Sequence, residues 1–179
     1  AEFTVLRVQI TQAATESEIL PERLSTIERY HLEDAVNASN PRSFTVSMRQ
    51  MNWFINGRSF EMEGVSSDET VKLDTLEVWE FINQPAGRGM GMEMAHPMHI
   101  HGLQFQVLER EIRNGLSGDY ETVSHGYVDE GWKDVILLMP GERVKLLMKF
   151  EDYAGLYLYH CHNLEHEDMG LMRNYLIES

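Results

Sequence analysis

Apolar and polar side chains alternate with a period of two along residues 3–10, 44–48, 76–82, 99–108, 134–138, 143–150, 155–161 and 175–177. Successive side chains of a strand point to opposite faces, so this period predicts half-buried β-strands. The turn signals "NGRS", "NGLSGD", "PGER" and "DYAG" lie between them. No stretch supports a convincing long helix, and a run of short strands divided by turns predicts an all-β sandwich or barrel. Residues 12–42, "QAATESEILPERLSTIERYHLEDAVNASNPR", fit no strand period. They are expected to form an extended connector with one short helix after Pro21. Two longer loops are expected at 84–95, rich in glycine and methionine, and at 113–132.

At 179 residues and 42% hydrophobic content the chain can bury one sizeable core, which argues for a single domain. Fifteen Lys and Arg against 29 Asp and Glu give a formal charge of -14. That charge repels phosphate backbones and anionic bilayers, so nucleic acid is excluded as a ligand. No run approaches the ~20 apolar residues that cross a bilayer, and no membrane span is expected. The first residues, "AEFTVLRVQI", have neither a basic n-region nor an apolar h-region and read like the interior of a longer polypeptide. The single cysteine, Cys161, excludes an internal disulfide.

That cysteine carries the chemistry. In "YHCHNLEHEDMGLM" it stands between His160 and His162, with His166 four residues beyond the second of them. On a strand, His160 and His162 share one face and Cys161 points to the other, so one tripeptide can touch two metal sites. Leu156 and Leu158 continue the histidine face, which predicts that it looks inward. A second motif, "HPMHIH", puts His99 and His101 on one face, continued by Leu103, Phe105 and Val107, and the two pairs can meet. His96 and His166 lie outside the pairs. With Cys161 they make two imidazoles and one thiolate, the trigonal donor set of a blue-copper electron-transfer centre. Zinc also takes Cys and His, but a tetrahedral structural site leaves the second group of imidazoles unexplained. His31 and His125 stand apart from both motifs and are expected to be core residues.

"HPMHIHG" and "YHCHNLEHEDMGLM", with "GWKD" between them and "MNWFINGRSF" upstream, resemble the C-terminal cupredoxin domain of multicopper oxidases, the laccase, bilirubin oxidase and copper-efflux oxidase group. The likeness covers most of residues 43–179. It implies a cupredoxin-like Greek-key β-sandwich or barrel at 43–179, the third domain of such an oxidase, preceded by an N-terminal strand and extended connector at 1–42. By position it implies that His96, Cys161 and His166 bind type 1 copper, His99 type 2 copper, and His101, His160 and His162 the type 3 pair. Electrons would enter from a phenol, an aromatic amine or a metal ion at the type 1 site. They would leave through Cys161 and its flanking histidines to a cluster that reduces dioxygen to water.

The family's axial position falls on Leu171, which offers no donor, so copper(I) is favoured and a higher reduction potential is expected. Met169 and Met172 are nearby, but their spacing suits packing. Glu167 resembles an acidic residue that feeds protons to the oxygen site. Met90, Met92, Met94 and Met98 crowd around His96. Met92 and Met94 resemble either cuprous-ion ligands or a methionine-rich rim for organic substrates, which Trp132 and Asp134 of "GWKD" would brace. The family completes its cluster with two more HxH motifs from an N-terminal domain, and this sequence has none elsewhere. The implied partners are therefore N-terminal cupredoxin domains on a separate or cleaved chain, together with dioxygen and a small reducing substrate. Copper chemistry and family habit imply a periplasmic or extracellular location. The competing function is a copper-binding electron-transfer module without oxidase activity, which would need no type 3 ligands.

Overall fold

The computed structural model describes residues 4, 6–13, 19–84, 94–113 and 117–179. Among them the alternating stretches pair into ten strands: β1 (Arg42–Arg49), β2 (Asn52–Ile55), β3 (Thr70–Lys72), β4 (Thr75–Asn83), β5 (His96–Ile100), β6 (Phe105–Ile112), β7 (Val135–Leu138), β8 (Glu142–Phe150), β9 (Gly155–Cys161) and β10 (Met172–Glu178). Two short helices are added, α1 (Ser117–Ser124) and α2 (Leu164–Asp168). One sheet runs β2-β1-β4-β8-β6 and the other β3-β10-β9-β5-β7. Their apolar faces meet in one core around Phe44, Trp79, Phe81, Phe105, Phe150, Tyr159 and Tyr175, all fully buried. The fold is the all-β sandwich that the alternation allows, with the cupredoxin-like architecture that the resemblance implies.

Several local expectations give way. The stretch 99–108 is two strands, because Gly102 takes φ +82 and a Cβ there would meet the Tyr157 ring at 2.6 Å. The proposed face running from His99 to Val107 is cut at that glycine. β2 and β3 escaped the period search because four and three residues are too few to show it. At the N-terminus the described residues 4 and 6–10 belong to no strand, and Leu6, Val8 and Ile10 are exposed. Alternation makes a strand only where a neighbour takes up its backbone hydrogen bonds. Within the connector no α-helix follows Pro21 and its one helical turn is the 3-10 turn at Leu32–Asp34, while α1 lies inside the expected 113–132 loop. His31 and His125 are exposed, not core.

Side chains fasten the connector onto β4 and β6. Gln106 accepts from Tyr30 N–H (3.0 Å) and donates to the Glu28 carbonyl (2.7 Å). Asn37 accepts from the N–H of Val78 and donates to its carbonyl. Under the core, the fully buried Glu69 carboxylate receives Arg173 Nε (2.8 Å) and Nη2 (2.7 Å), Tyr159 OH (2.9 Å) and Ser66 N–H (2.8 Å). Among the described residues no helix is long and apolar enough to cross a membrane.

Candidate metal centre

β5 and β9 are antiparallel neighbours, with Met98 opposite Cys161 and His99 opposite His160. Opposed residues share a face, so this register sorts the donors into two groups. His96, Met98 and Ile100 of β5, with Tyr159 and Cys161 of β9, are all buried and belong to the core side. His99, His101, His160 and His162 lie on the other side. His101 and His162 are exposed there, while His160 is covered. The inward histidine face expected from Leu156 and Leu158 is therefore reversed: Leu156 is exposed, and Tyr159 and Cys161 pack into the core instead.

On the core side three donor atoms converge. Cys161 Sγ lies 3.6 Å from His96 Nδ1 and 3.6 Å from His166 Nδ1, and the two nitrogens are 3.2 Å apart. The point equidistant from all three is about 2.0 Å from each, the bond length of a first-row metal to nitrogen. His166 reaches the site from α2. Its N–H bonds the Asn163 carbonyl (3.0 Å), its own carbonyl accepts from Leu171 N–H (2.9 Å), and Leu171 in turn accepts from Cys161 N–H (3.0 Å). Asn163 also donates to the Ala95 carbonyl, tying this turn to the residue before His96. Burial, with His166 beside it, drives the His96 imidazole down to about 3, and burial lowers His166 as well. Both rings are thus held in the neutral form that metals bind. Burial pushes the Cys161 thiol up to about 11 against the pull of the Asn163 backbone N–H, so a metal must displace its proton. Two neutral imidazoles and a sheltered thiol fit copper by donor type and by spacing.

On the outer side His101 Nε2 and His160 Nε2 are 3.0 Å apart. The His99 ring centroid lies 4.8 Å from that of His101, 5.4 Å from His160 and 5.7 Å from His162, and the His160 and His162 centroids are 5.5 Å apart. Acceptors fix the tautomers. His99 Nδ1 is 2.7 Å from the Asp134 carbonyl. His160 Nδ1 faces the Cys161 carbonyl at 3.1 Å and Glu167 Oε2 at 3.3 Å. Each Nδ1 therefore carries hydrogen, leaving each Nε2 lone pair free for a metal. Burial, and then the neighbouring His99 and His160, lower the His101 imidazole below its ordinary range.

The remaining candidates fall into place around these two groups. Leu171 is fully buried. Met94 is half-buried and its carbonyl accepts from Asn83 Nδ2 at 2.8 Å. Met92 and Met90 lie outside the described residues, and Met98 is a core residue. Trp132 and Asp134 stand at the opposite end of β5 from His96. Asp134 steadies His99 through its backbone carbonyl, and Trp132 packs edge-on against Tyr30 (5.1 Å) beside an open cleft of about 720 Å³ that Gly102 also lines. Of the two, only Asp134 touches an outer histidine, and the methionine rim they were expected to brace falls partly outside the described residues. Sequence reasoning assigned no role to Trp53, whose indole packs against both His96 and His166. The only signal for it was its place in "MNWFINGRSF".

A family model described as "Multicopper oxidase" matches residues 35–179. The "Multicopper oxidase mco" of Staphylococcus haemolyticus is 42% identical over 121 residues, 68% of this chain and 24% of that protein. A Bacillus subtilis laccase is 37% identical over 113 residues, 59% of this chain and 21% of its own length. Among solved structures, McoA multicopper oxidase from Aquifex aeolicus superposes with a TM-score of 0.70 at 28% identity, covering 93% of this chain and 34% of that one. The chain spans about a quarter of the curated relatives it matches.

Proposed function

The chain belongs to the multicopper oxidase family, copper-dependent oxidoreductases, and on that premise we infer that it is the C-terminal part of a laccase-like enzyme. The enzyme takes single electrons from a phenol, an aromatic amine or a metal ion and reduces dioxygen to water. One observation carries this reading: adjacent residues of a single strand belong to two different donor groups on its two faces. His96, Cys161 and His166 would hold a type 1 copper, and His99, with His101, His160 and His162, the type 2 and type 3 ions. Copper bound there would supply one-electron redox chemistry.

The protein's own part is to bind, orient and connect. Cys161 joins the two groups through one peptide bond to each flanking histidine. The His160 Nδ1 to Cys161 carbonyl contact of 3.1 Å adds a shorter route across the same link. Core packing around Cys161 keeps water from the thiolate, while Glu167, 3.3 Å from His160 Nδ1, would pass protons towards the outer group. The exposed rings of His101 and His162 present half a cluster, which N-terminal cupredoxin domains would complete by facing them. A simple electron carrier has no use for those rings. Periplasmic or extracellular location follows the habit of such oxidases.

Reconstitution with those domains and copper tests the reading. Several coppers per assembly with oxygen uptake is the expected result, and Cys161→Ser should lose the type 1 copper with its visible thiolate-to-copper band, and oxygen uptake with it, while the imidazole-bound coppers stay. A single copper with that band and no oxygen uptake would instead identify an electron carrier.

A further inference from the structure

Rotation of an imidazole about χ2 is soft, because that torsion joins sp³ and sp² atoms. A ligating histidine therefore stays aimed only if a hydrogen bond or a wall holds its ring, and the usual device is a carbonyl or carboxylate on the second nitrogen. His99 and His160 both have that device. His166 has a polar neighbour in Asn163, though the Asn163 Nδ2 lies 3.4 Å from the donor nitrogen Nδ1 itself and not from the second nitrogen. His96 has nothing of the kind: its Nε2 is buried with no hydrogen-bond partner among the described residues. Its Nδ1 faces only Cys161 and His166.

What His96 does have is an aromatic wall. The Trp53 ring centroid lies 4.6 Å from that of His96 at an interplanar angle of 77°, and 4.5 Å from that of His166 at 41°. One rigid indole thus presses on both imidazoles. It comes from β2, in the sheet opposite the one that carries β5 and β9, and so reaches the two imidazoles from across the core. Trp53 is itself buried.

We propose that Trp53 is the positioning residue of the His96–Cys161–His166 centre, replacing by contact the hydrogen bond that His96 lacks. This rests on the metal-centre reading above. Without the indole the His96 ring gains rotational freedom, its Nδ1 spends less time facing Sγ, and copper is bound more weakly and in altered geometry.

The test is copper(II) binding by the whole chain, measured by competition with a chelator and by visible and electron paramagnetic spectra. Trp53→Leu should bind copper about 10-fold or more weakly, the usual cost of losing an orienting partner. Its thiolate-to-copper band and copper hyperfine splitting should change, and Trp53→Phe should fall between parent and Leu variant. Parent affinity and parent spectra in both variants would overturn the proposal. If circular dichroism shows the Leu variant unfolded, the Phe variant decides: several-fold weaker binding with a shifted band supports the role, and parent values refute it. An unmodified chain that never develops the thiolate-to-copper band sinks the metal-centre reading, and the role of Trp53 with it. A band present in the parent and untouched in the variants sinks the Trp53 role alone.

Discussion

Glu69→Gln should destabilise this fold by about 3 kcal/mol at neutral pH, the lower end of what breaking a buried ion pair costs. The magnitude follows from the donors around the carboxylate. Arg173 Nε and Nη2, Tyr159 OH and Ser66 N–H all point at it. A glutamine amide keeps one acceptor oxygen and in either orientation turns its NH2 group towards an Arg173 N–H, which can only donate, while Arg173, almost wholly buried, loses its counter-ion. In a chain of this length that loss corresponds to a fall in Tm of about 6–12 °C. Burial alone would raise the Glu69 carboxyl, but Arg173, the Ser66 N–H and the Tyr159 hydroxyl outweigh it and hold the group below the ordinary carboxylate range. A depressed folded value means that the stabilisation is complete above the unfolded pKa of about 4.3 and is lost as pH falls through the lower folded value. Urea unfolding of parent and variant, followed by circular dichroism from neutral pH into the acid range, should therefore show a gap that closes on acidification. The network also sits beside the site: Tyr159 precedes His160, and Arg173 lies opposite Tyr159 in the β9–β10 ladder. A neutral-pH difference under about 1 kcal/mol, or a gap that stays constant into acid, would refute this account of the buried pair.

Other expectations concern the site itself. Gly102→Ala should cost about 1–3 kcal/mol, since φ there is +82 and the new Cβ would meet the Tyr157 ring at 2.6 Å; denaturant unfolding measures it, and copper stoichiometry shows whether His101 is displaced. Leu171→Met should lower the reduction potential of the core-side copper by offering a thioether to copper(II), read by redox titration of the visible band. Glu167→Gln, which removes the acid 3.3 Å from His160 Nδ1, should cut oxygen turnover of the assembled enzyme ~100-fold with copper still bound; unchanged turnover would free Glu167 of any proton-holding role.

The sequence by itself determined the all-β class and which residues are candidate donors. The period of two fixes which residues share a face, so "HCH" separates Cys161 from its neighbouring histidines in any strand that contains it. Period alone could not say which face meets the opposite sheet. Leu156 and Leu158 favoured the histidine side, and the packing of Tyr159 and Cys161 against Phe44, Trp79 and Met98 decided otherwise. Both faces carry apolar residues, and only contact with a second sheet distinguishes them. The break at Gly102 was likewise invisible until Tyr157 was placed against it. Long-range pairing alone supplied what no local pattern encodes: the β5–β9 register that lines His99 up with His160, the convergence of His96 and His166 on Cys161 within 3.6 Å, and the arrival of Trp53 from the other sheet. Local residue choice sets the direction of a side chain, whereas the distance between donors far apart in sequence is set by the packing of the whole sandwich.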